Sequence, residues 1–196
     1  KMRSDAFLVK EVIDFRLSRF LECEETRPVK EVMCLESVFE DTLTLDGDTF
    51  RFKAKVDRID RLDDDSLLII DYKTGGSDKM PVSSARIADL ALSRPFLKNT
   101  VKSFQLPIYY YLVKRAQKGE NINAALYNIR EPGEGFSGSK LFKDTEEADG
   151  KDRIMGIFMR ALEFLLKEIT SPAEPFKADQ EDSRYCRNCP FFYLCR

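Results

Sequence analysis

Asp57, Asp71 and Lys73 are the residues of this chain whose types and spacing could do chemistry. They lie within Lys55–Gly75. There Val56-Asp57-Arg58-Ile59-Asp60 is followed by Asp63-Asp64-Asp65, an apolar run, and Ile70-Asp71-Tyr72-Lys73-Thr74-Gly75. Two carboxylates set beside an ammonium suit metal-dependent cleavage of a phosphodiester. The carboxylates hold a divalent cation that polarises the phosphate and acidifies its water, and the lysine stabilises developing charge.

The elements that must position these groups follow from hydrophobic periodicity. Alternation predicts a strand over Phe50–Asp57, with Phe50, Phe52, Ala54 and Val56 on one face and Arg51, Lys53, Lys55 and Asp57 on the other. A second strand runs from about Ser66 to Lys73 and puts Leu67, Ile69, Asp71 and Lys73 on one face. The three aspartates between them suit a turn. If Asp64 is its centre, Asp57 and Asp71 are each seven residues away and lie opposite one another. Directly opposed residues have Cβ atoms about 4.5–5.5 Å apart. Two ionised carboxylates at that separation repel, so the pair calls for a divalent cation or a proton. The plainer alternative is a solvated hairpin in which Lys73 offsets Asp71. Sharing a face with Leu67 and Ile69 argues for burial instead, and buried charges are rare unless paired or metal-bound.

Around the hairpin, Ser4-Asp5 can cap a helix over Ala6–Glu25 with Val9, Ile13, Leu17 and Phe20 as its apolar stripe, and Pro28 ends that segment. A strand over Glu31–Phe39 follows, in which Glu36 shares a face with Val32, Cys34 and Val38. Such a glutamate is either an edge-strand charge facing water or a group with a partner. Asp46-Gly47-Asp48 turns the chain into the Phe50 strand and completes a three-stranded meander. A short helix is predicted over Ser84–Ser93, stopped by Pro95. The next spans about Ser103–Gln117, with Pro107 in its first turn. Gln105 and Tyr109 stand at i and i+4 on one face of that helix. Asn123–Ile129 reads as a further strand and Glu131–Gly150 as a mobile, Gly-rich loop. Ile154–Ile169 reads as a last helix with Met155, Phe158, Leu162, Leu165 and Ile169 inward. The fold class expected is α/β, a central mixed sheet (antiparallel meander plus a further strand) flanked by helices.

Near the C-terminus, Cys186-Arg-Asn-Cys189 with Cys195 six residues on has metal or iron–sulfur spacing, and thiolates suit soft iron. A disulfide framework does not fit an otherwise ordinary, non-secreted chain. Cys34 is expected to pack in the core, and Cys23 lies near the end of the first helix.

Val56-Asp57-Arg58-Ile59-Asp60 followed by Ile70-Asp71-Tyr72-Lys73-Thr74-Gly75 resembles the core motif of the PD-(D/E)xK nuclease superfamily. More narrowly it resembles the nuclease domain of AddB and RecB-type exonucleases, in the family's order from Ala6 to Cys195. The resemblance implies a restriction-endonuclease-like core in which Asp57, Asp71 and the Tyr72 carbonyl bind Mg²⁺ (or Mn²⁺). It gives Lys73 the part of orienting the attacking water and stabilising charge on phosphorus. It also places Glu36, of Glu36-x-x-Phe39, and Gln105 and Tyr109, of Gln-x-x-x-Tyr, at the active site. Ala54 stands where members often carry glycine, a small-for-small departure. Cys186, Cys189 and Cys195 match three ligands of the [4Fe–4S] cluster that staples the domain's two ends in AddB-type nucleases. The family's upstream cysteine and metal-site histidine have no counterpart here.

The chain is therefore expected to be one nuclease domain over 1–196, truncated at its N-terminus, with a cysteine-rich segment over 184–196. The cluster's fourth ligand is expected outside the chain, the cluster itself absent here, and the Cys186 segment disordered or disulfide-linked. The implied partners are DNA ends and a helicase domain or subunit, in a recombination-repair helicase–nuclease. Two rivals stay open: a non-catalytic DNA-binding lobe of such a complex, and a CRISPR-associated adaptation exonuclease.

Composition bounds these readings. A chain of 196 residues with 43% apolar content can bury one sizeable core. Nothing in it is long and apolar enough to span a membrane, and a cytoplasmic location is expected. A net charge of −2 puts any nucleic-acid contact on local basic patches. With no histidine at all, histidine general bases, Ser-His-Asp triads and mixed Cys/His zinc sites are excluded.

Overall fold

The computed structural model describes residues 4–45, 47–75, 80, 92–118, 121–136, 138–173, 186 and 189–193. Helix α1 (Ser4–Glu25) leads into strands β1 (Val29–Leu45), β2 (Asp48–Leu62) and β3 (Leu67–Lys73). Helices α2 (Arg94–Thr100) and α3 (Gln105–Ala116) precede β4 (Ile122–Asn128), and α4 (Ala148–Thr170) follows it. The strands form one sheet in the order β1-β2-β3-β4. β1–β2 and β2–β3 are antiparallel and β3–β4 is parallel. The sheet is thus the expected meander plus a further strand, an α/β architecture compatible with a restriction-endonuclease-like core. The parallel pair needs a long connection, and α2 and α3 lie within it.

Two layers of side chains cover the sheet. On one face Val56, Ile59, Leu67, Ile69, Ala124 and Leu126 pack with Leu97 of α2, Leu106 and Val113 of α3, and Ile154, Met155 and Phe158 of α4. On the other, Leu68, Ile70, Ala125 and Tyr127 meet Phe20 of α1, Leu62, Tyr72 and Phe136. β3 is buried on both faces from Leu67 to Asp71, which is why it reads as a continuous apolar run. Buried Lys151 ties α4 to the start of β4, donating to Asn121 Oδ1 at 2.7 Å and the Ile122 carbonyl at 3.0 Å. Among the described residues no helix is long and apolar enough to cross a membrane.

Several expectations are corrected here. Val9, Ile13 and Leu17 of the presumed α1 stripe are about half exposed, as are Phe7, Phe15 and Leu21. Among the described residues, Phe20 is the α1 side chain that packs on the sheet, against Tyr72 and Tyr127. Pro95 opens α2 rather than stopping a helix, because proline is suited to a helix's first turn. The helix predicted from Ser84 falls on residues 84–91, outside those described. Glu131–Gly150 is not a bare loop. Phe142 is buried within it, Asn123 Nδ2 donates to the Phe142 carbonyl at 3.0 Å, and α4 starts at Ala148. Ile169, expected inward, is exposed because α4 outlasts the core by its final turn.

The face assignment of β1 and β2 also changes. Val56 and Ile59 both join the core although they are three residues apart, and so do Cys34 and Phe39, five apart. Strict alternation forbids that. The break falls where Glu36, with φ 51°, lies across from Asp57. It turns Asp57 away from Arg51, Lys53 and Lys55 and onto the face of Ile59.

Candidate active site

β2 and β3 position the two carboxylates. Their register runs from Arg61↔Leu67 to Arg58↔Ile70, so Asp57 falls across from Asp71, as the turn at Asp64 requires. Asp57 Oδ2 accepts the Tyr72 backbone N–H at 2.9 Å, which fixes its carboxylate at the end of the ladder. Asp71 is 3% exposed. Lys73 Nζ lies 2.5 Å from Asp71 Oδ2 and donates to Gln105 Oε1 at 2.8 Å. Gln105 Nε2 donates to Asp71 Oδ1 at 2.6 Å and to the Tyr109 hydroxyl at 3.1 Å.

Gln105 is thus the hinge of the cluster. It is the first residue of α3, where the chain turns onto the sheet, and Ser103 Oγ accepts its backbone N–H at 3.2 Å. One amide holds the acid, the lysine and the tyrosine, the last through the i,i+4 geometry of the helix.

The electrostatics are unbalanced. Burial pushes the Asp71 carboxyl above its ordinary range, Lys73 pulls it back, and the Asp57 charge pushes it up again. Burial likewise raises the Tyr109 hydroxyl, partly offset by Gln105. Asp71 Oδ2 is buried and pairs with the Lys73 ammonium at 2.5 Å. Two carboxylates across from one another at the end of the β2–β3 ladder, one of them buried, are a donor set that fits a hard divalent cation. Asp57 and Asp71 would hold it, with the Tyr72 carbonyl as the further oxygen that the sequence motif points to.

Five of the expected residues, Asp57, Asp71, Lys73, Gln105 and Tyr109, come together. Glu36 does not join them. It is exposed, with its carboxylate paired to Lys55 on the solvent side, and Val32 and Val38 are exposed too. Accordingly, among the described residues no three His, Cys, Asp or Glu side chains are gathered around one metal position. Cys34 packs against the core as expected. Cys186 and Cys189 form no disulfide, and the Cys189 N–H donates to the Cys186 carbonyl at 3.1 Å across a turn. Cys195 lies outside the described residues.

Behind the site is a group that sequence reasoning missed. Arg27 Nη1 donates to Glu24 at 2.8 Å, and Arg27 Nη2 donates to Asp60 Oδ2 at 2.7 Å. Arg58 Nε donates to Asp60 Oδ1 at 2.5 Å, and Arg58 Nη1 donates to Glu24 Oε2 at 2.6 Å. Burial alone would lower the Arg58 pKa, but its bonds to Asp60 and Tyr72 raise it overall. The signal available in the sequence was Arg58 and Asp60 alternating onto the face of Leu62, where buried charge demands partners.

A mixed sheet carrying an acid on one strand and Asp-x-Lys on the next places this chain among nucleases with a restriction-endonuclease-like core. It belongs to the PD-(D/E)XK nuclease superfamily, whose description it matches over residues 6–196 and whose members use divalent metal ions. No curated protein matches it. Among solved structures it is similar to the crystal structure of SSO0001, at 15% identity and a TM-score of 0.39, covering 98% of this chain and 70% of that one.

Proposed function

We propose that the protein is a Mg²⁺- or Mn²⁺-dependent deoxyribonuclease, the exonuclease module of a recombination-repair helicase–nuclease that acts on DNA ends. The observation that supports this best is the buried Asp71 carboxylate. It is 3% exposed, shares Gln105 with Lys73, and faces Asp57.

Each residue has a part in hydrolysis. Asp57 and Asp71 hold the divalent ion, which when bound supplies Lewis-acid polarisation of the phosphate and an acidified water. Lys73 sets its ammonium beside the reacting phosphate, orienting the attacking water and stabilising charge as it develops. Gln105 bonds to both Lys73 and Asp71 and so holds the ammonium in place, which spares it reorganisation during reaction. Tyr109, hydrogen-bonded to the Gln105 amide, extends the site along α3 toward the substrate. From their spacing, Cys186, Cys189 and Cys195 are read as three ligands of a [4Fe–4S] cluster.

The test is cleavage of linear single- and double-stranded DNA with Mg²⁺ or Mn²⁺, comparing wild type with Asp71→Ala and Lys73→Ala. Wild type should degrade DNA and both variants should lose that activity. Equal activity in all three would end the nuclease reading. DNA binding without cleavage by wild type would favour a non-catalytic lobe.

A further inference from the structure

Glu24, Arg27, Arg58 and Asp60 close a ring of charges on the face of the sheet opposite the active site. Each arginine bonds to both carboxylates. The ring is neutral and largely buried, Asp60 completely so. Burying four charges is a poor route to stability, since apolar side chains of similar volume often serve as well or better. What the ring offers instead is fixed geometry, and it reaches one further group. Arg58 Nη1 donates to the Tyr72 hydroxyl at 3.2 Å.

Tyr72 stands between Asp71 and Lys73, and on a strand it must point to the opposite face. Its ring rests against Phe20 at 5.8 Å and Tyr127 at 5.9 Å between centroids, and Arg27 lies over Tyr127 at 5.7 Å. Its backbone N–H is the donor that holds Asp57. One residue therefore carries the two neighbours that bear chemistry, anchors the second acid, and is itself held from behind.

We propose that the Glu24–Arg27–Arg58–Asp60 ring is the positioning device of the active site. Acting through the Tyr72 hydroxyl, it sets the height and twist of the strand that presents Asp71, Lys73 and the Asp57 anchor. The kinetic part of this inference rests on the nuclease reading above, whereas its cation-binding part does not.

Tyr72→Phe and Arg58→Lys test it, with Lys30→Ala, whose exposed pair with Asp65 lies away from the site, as the control. Three quantities are read: the urea midpoint, the Mn²⁺ dissociation constant by titration calorimetry, and kcat and KM on linear DNA with Mn²⁺. Tyr72→Phe keeps the packed ring and removes only the hydroxyl. It should remain folded, bind Mn²⁺ about tenfold more weakly, and lose about tenfold in kcat with KM for DNA unchanged, the range typical of groups that orient metal ligands. Arg58→Lys keeps the charge but not the fork and should lose more. If Arg58→Lys fails to fold, Tyr72→Phe decides alone. Mn²⁺ affinity in Tyr72→Phe within twofold of wild type overturns the proposal whatever the cleavage assay shows. A wild type that binds Mn²⁺ but does not cut DNA ends the nuclease reading, and the Mn²⁺ comparison still decides this one. Failure of wild type to bind Mn²⁺ overturns both.

Discussion

The two faces of the β2–β3 hairpin carry buried charge in opposite styles. Behind the sheet, Glu24, Arg27, Arg58 and Asp60 form a closed ring in which the two arginines and the two carboxylates balance. In front, Asp57, Asp71 and Lys73 leave an excess of negative charge and a raised Asp71 carboxyl. The back is satisfied by the protein itself. The front is left wanting a cation. A few ångströms of strand separate a device for holding from a device for binding, and the same backbone serves both.

Removing one carboxylate from each face should therefore have opposite consequences, and this gives the largest effect. Asp60→Ala strands two buried guanidinium groups and should cost about 3–5 kcal/mol of stability. Asp71→Asn removes a carboxylate that the folded state disfavours, and should leave stability equal or higher. Urea denaturation of the metal-free variants at neutral pH measures both. Equal destabilisation by the two would dissolve the contrast between the faces.

Lys73→Ala tests whether the front face is indeed chemical. Taking a positioned cation from a developing charge should reduce kcat by about 10²–10³-fold. Its ammonium is the cation paired with buried Asp71, so stability is compared with saturating Mn²⁺, which replaces that charge, and the urea midpoint should then hardly move. A parallel fall in stability and activity would make Lys73 a structural counter-ion of Asp71.

A smaller effect should appear in the pH dependence of the metal-free protein. The Asp71 carboxyl is raised above its ordinary value of 3.8, chiefly by burial. Between the ordinary and the raised value the folded state binds more protons than the unfolded one, so stability falls as pH rises through that window. Asp71→Asn should flatten this slope, and saturating Mg²⁺ should do the same by stabilising the ionised form at neutral pH. A stability profile in which wild type and Asp71→Asn run parallel from pH 4 to 7 would contradict the raised carboxyl.

How much of this was legible in the sequence depended on whether a feature is local. The facing of Asp57 and Asp71 follows from counting outward from Asp64, because a hairpin's turn fixes its register. Gln105 and Tyr109 sit one helical turn apart, and that spacing is visible without a structure. The ring was hidden because Arg27 and Asp60 are 33 residues apart and no pattern links them. α1 misled in a different way. Its Val9-Ile13-Leu17 stripe has the right spacing, but Phe7, Leu8 and Phe15 point to other sides, so periodicity could not say which face, if any, would be covered. Pro95 can end one helix or open the next, a choice its immediate neighbours leave open, and it opens α2.

Glu36 is the residue on which the sequence and the structure part, and it carries the smallest prediction. The strand pattern puts its carboxylate among apolar neighbours and the family resemblance puts it at the active site, but it is paired with Lys55 in solvent. It lies across from Asp57 in the β1–β2 register, but its φ of 51° is not a strand conformation. A left-handed conformation costs a non-glycine residue about 1–2 kcal/mol, and glycine would escape that cost while losing about 0.5–1 kcal/mol to chain entropy. The exposed pair with Lys55 is worth about 0–1 kcal/mol. These terms nearly cancel, so Glu36→Gly should change stability by less than about 1 kcal/mol. Because the carboxylate lies outside the Asp57–Asp71–Lys73–Gln105 cluster, cleavage should fall less than tenfold. A loss as large as that of Lys73→Ala, with the urea midpoint unchanged, would show that Glu36 leaves Lys55 and works beside Asp57 during turnover.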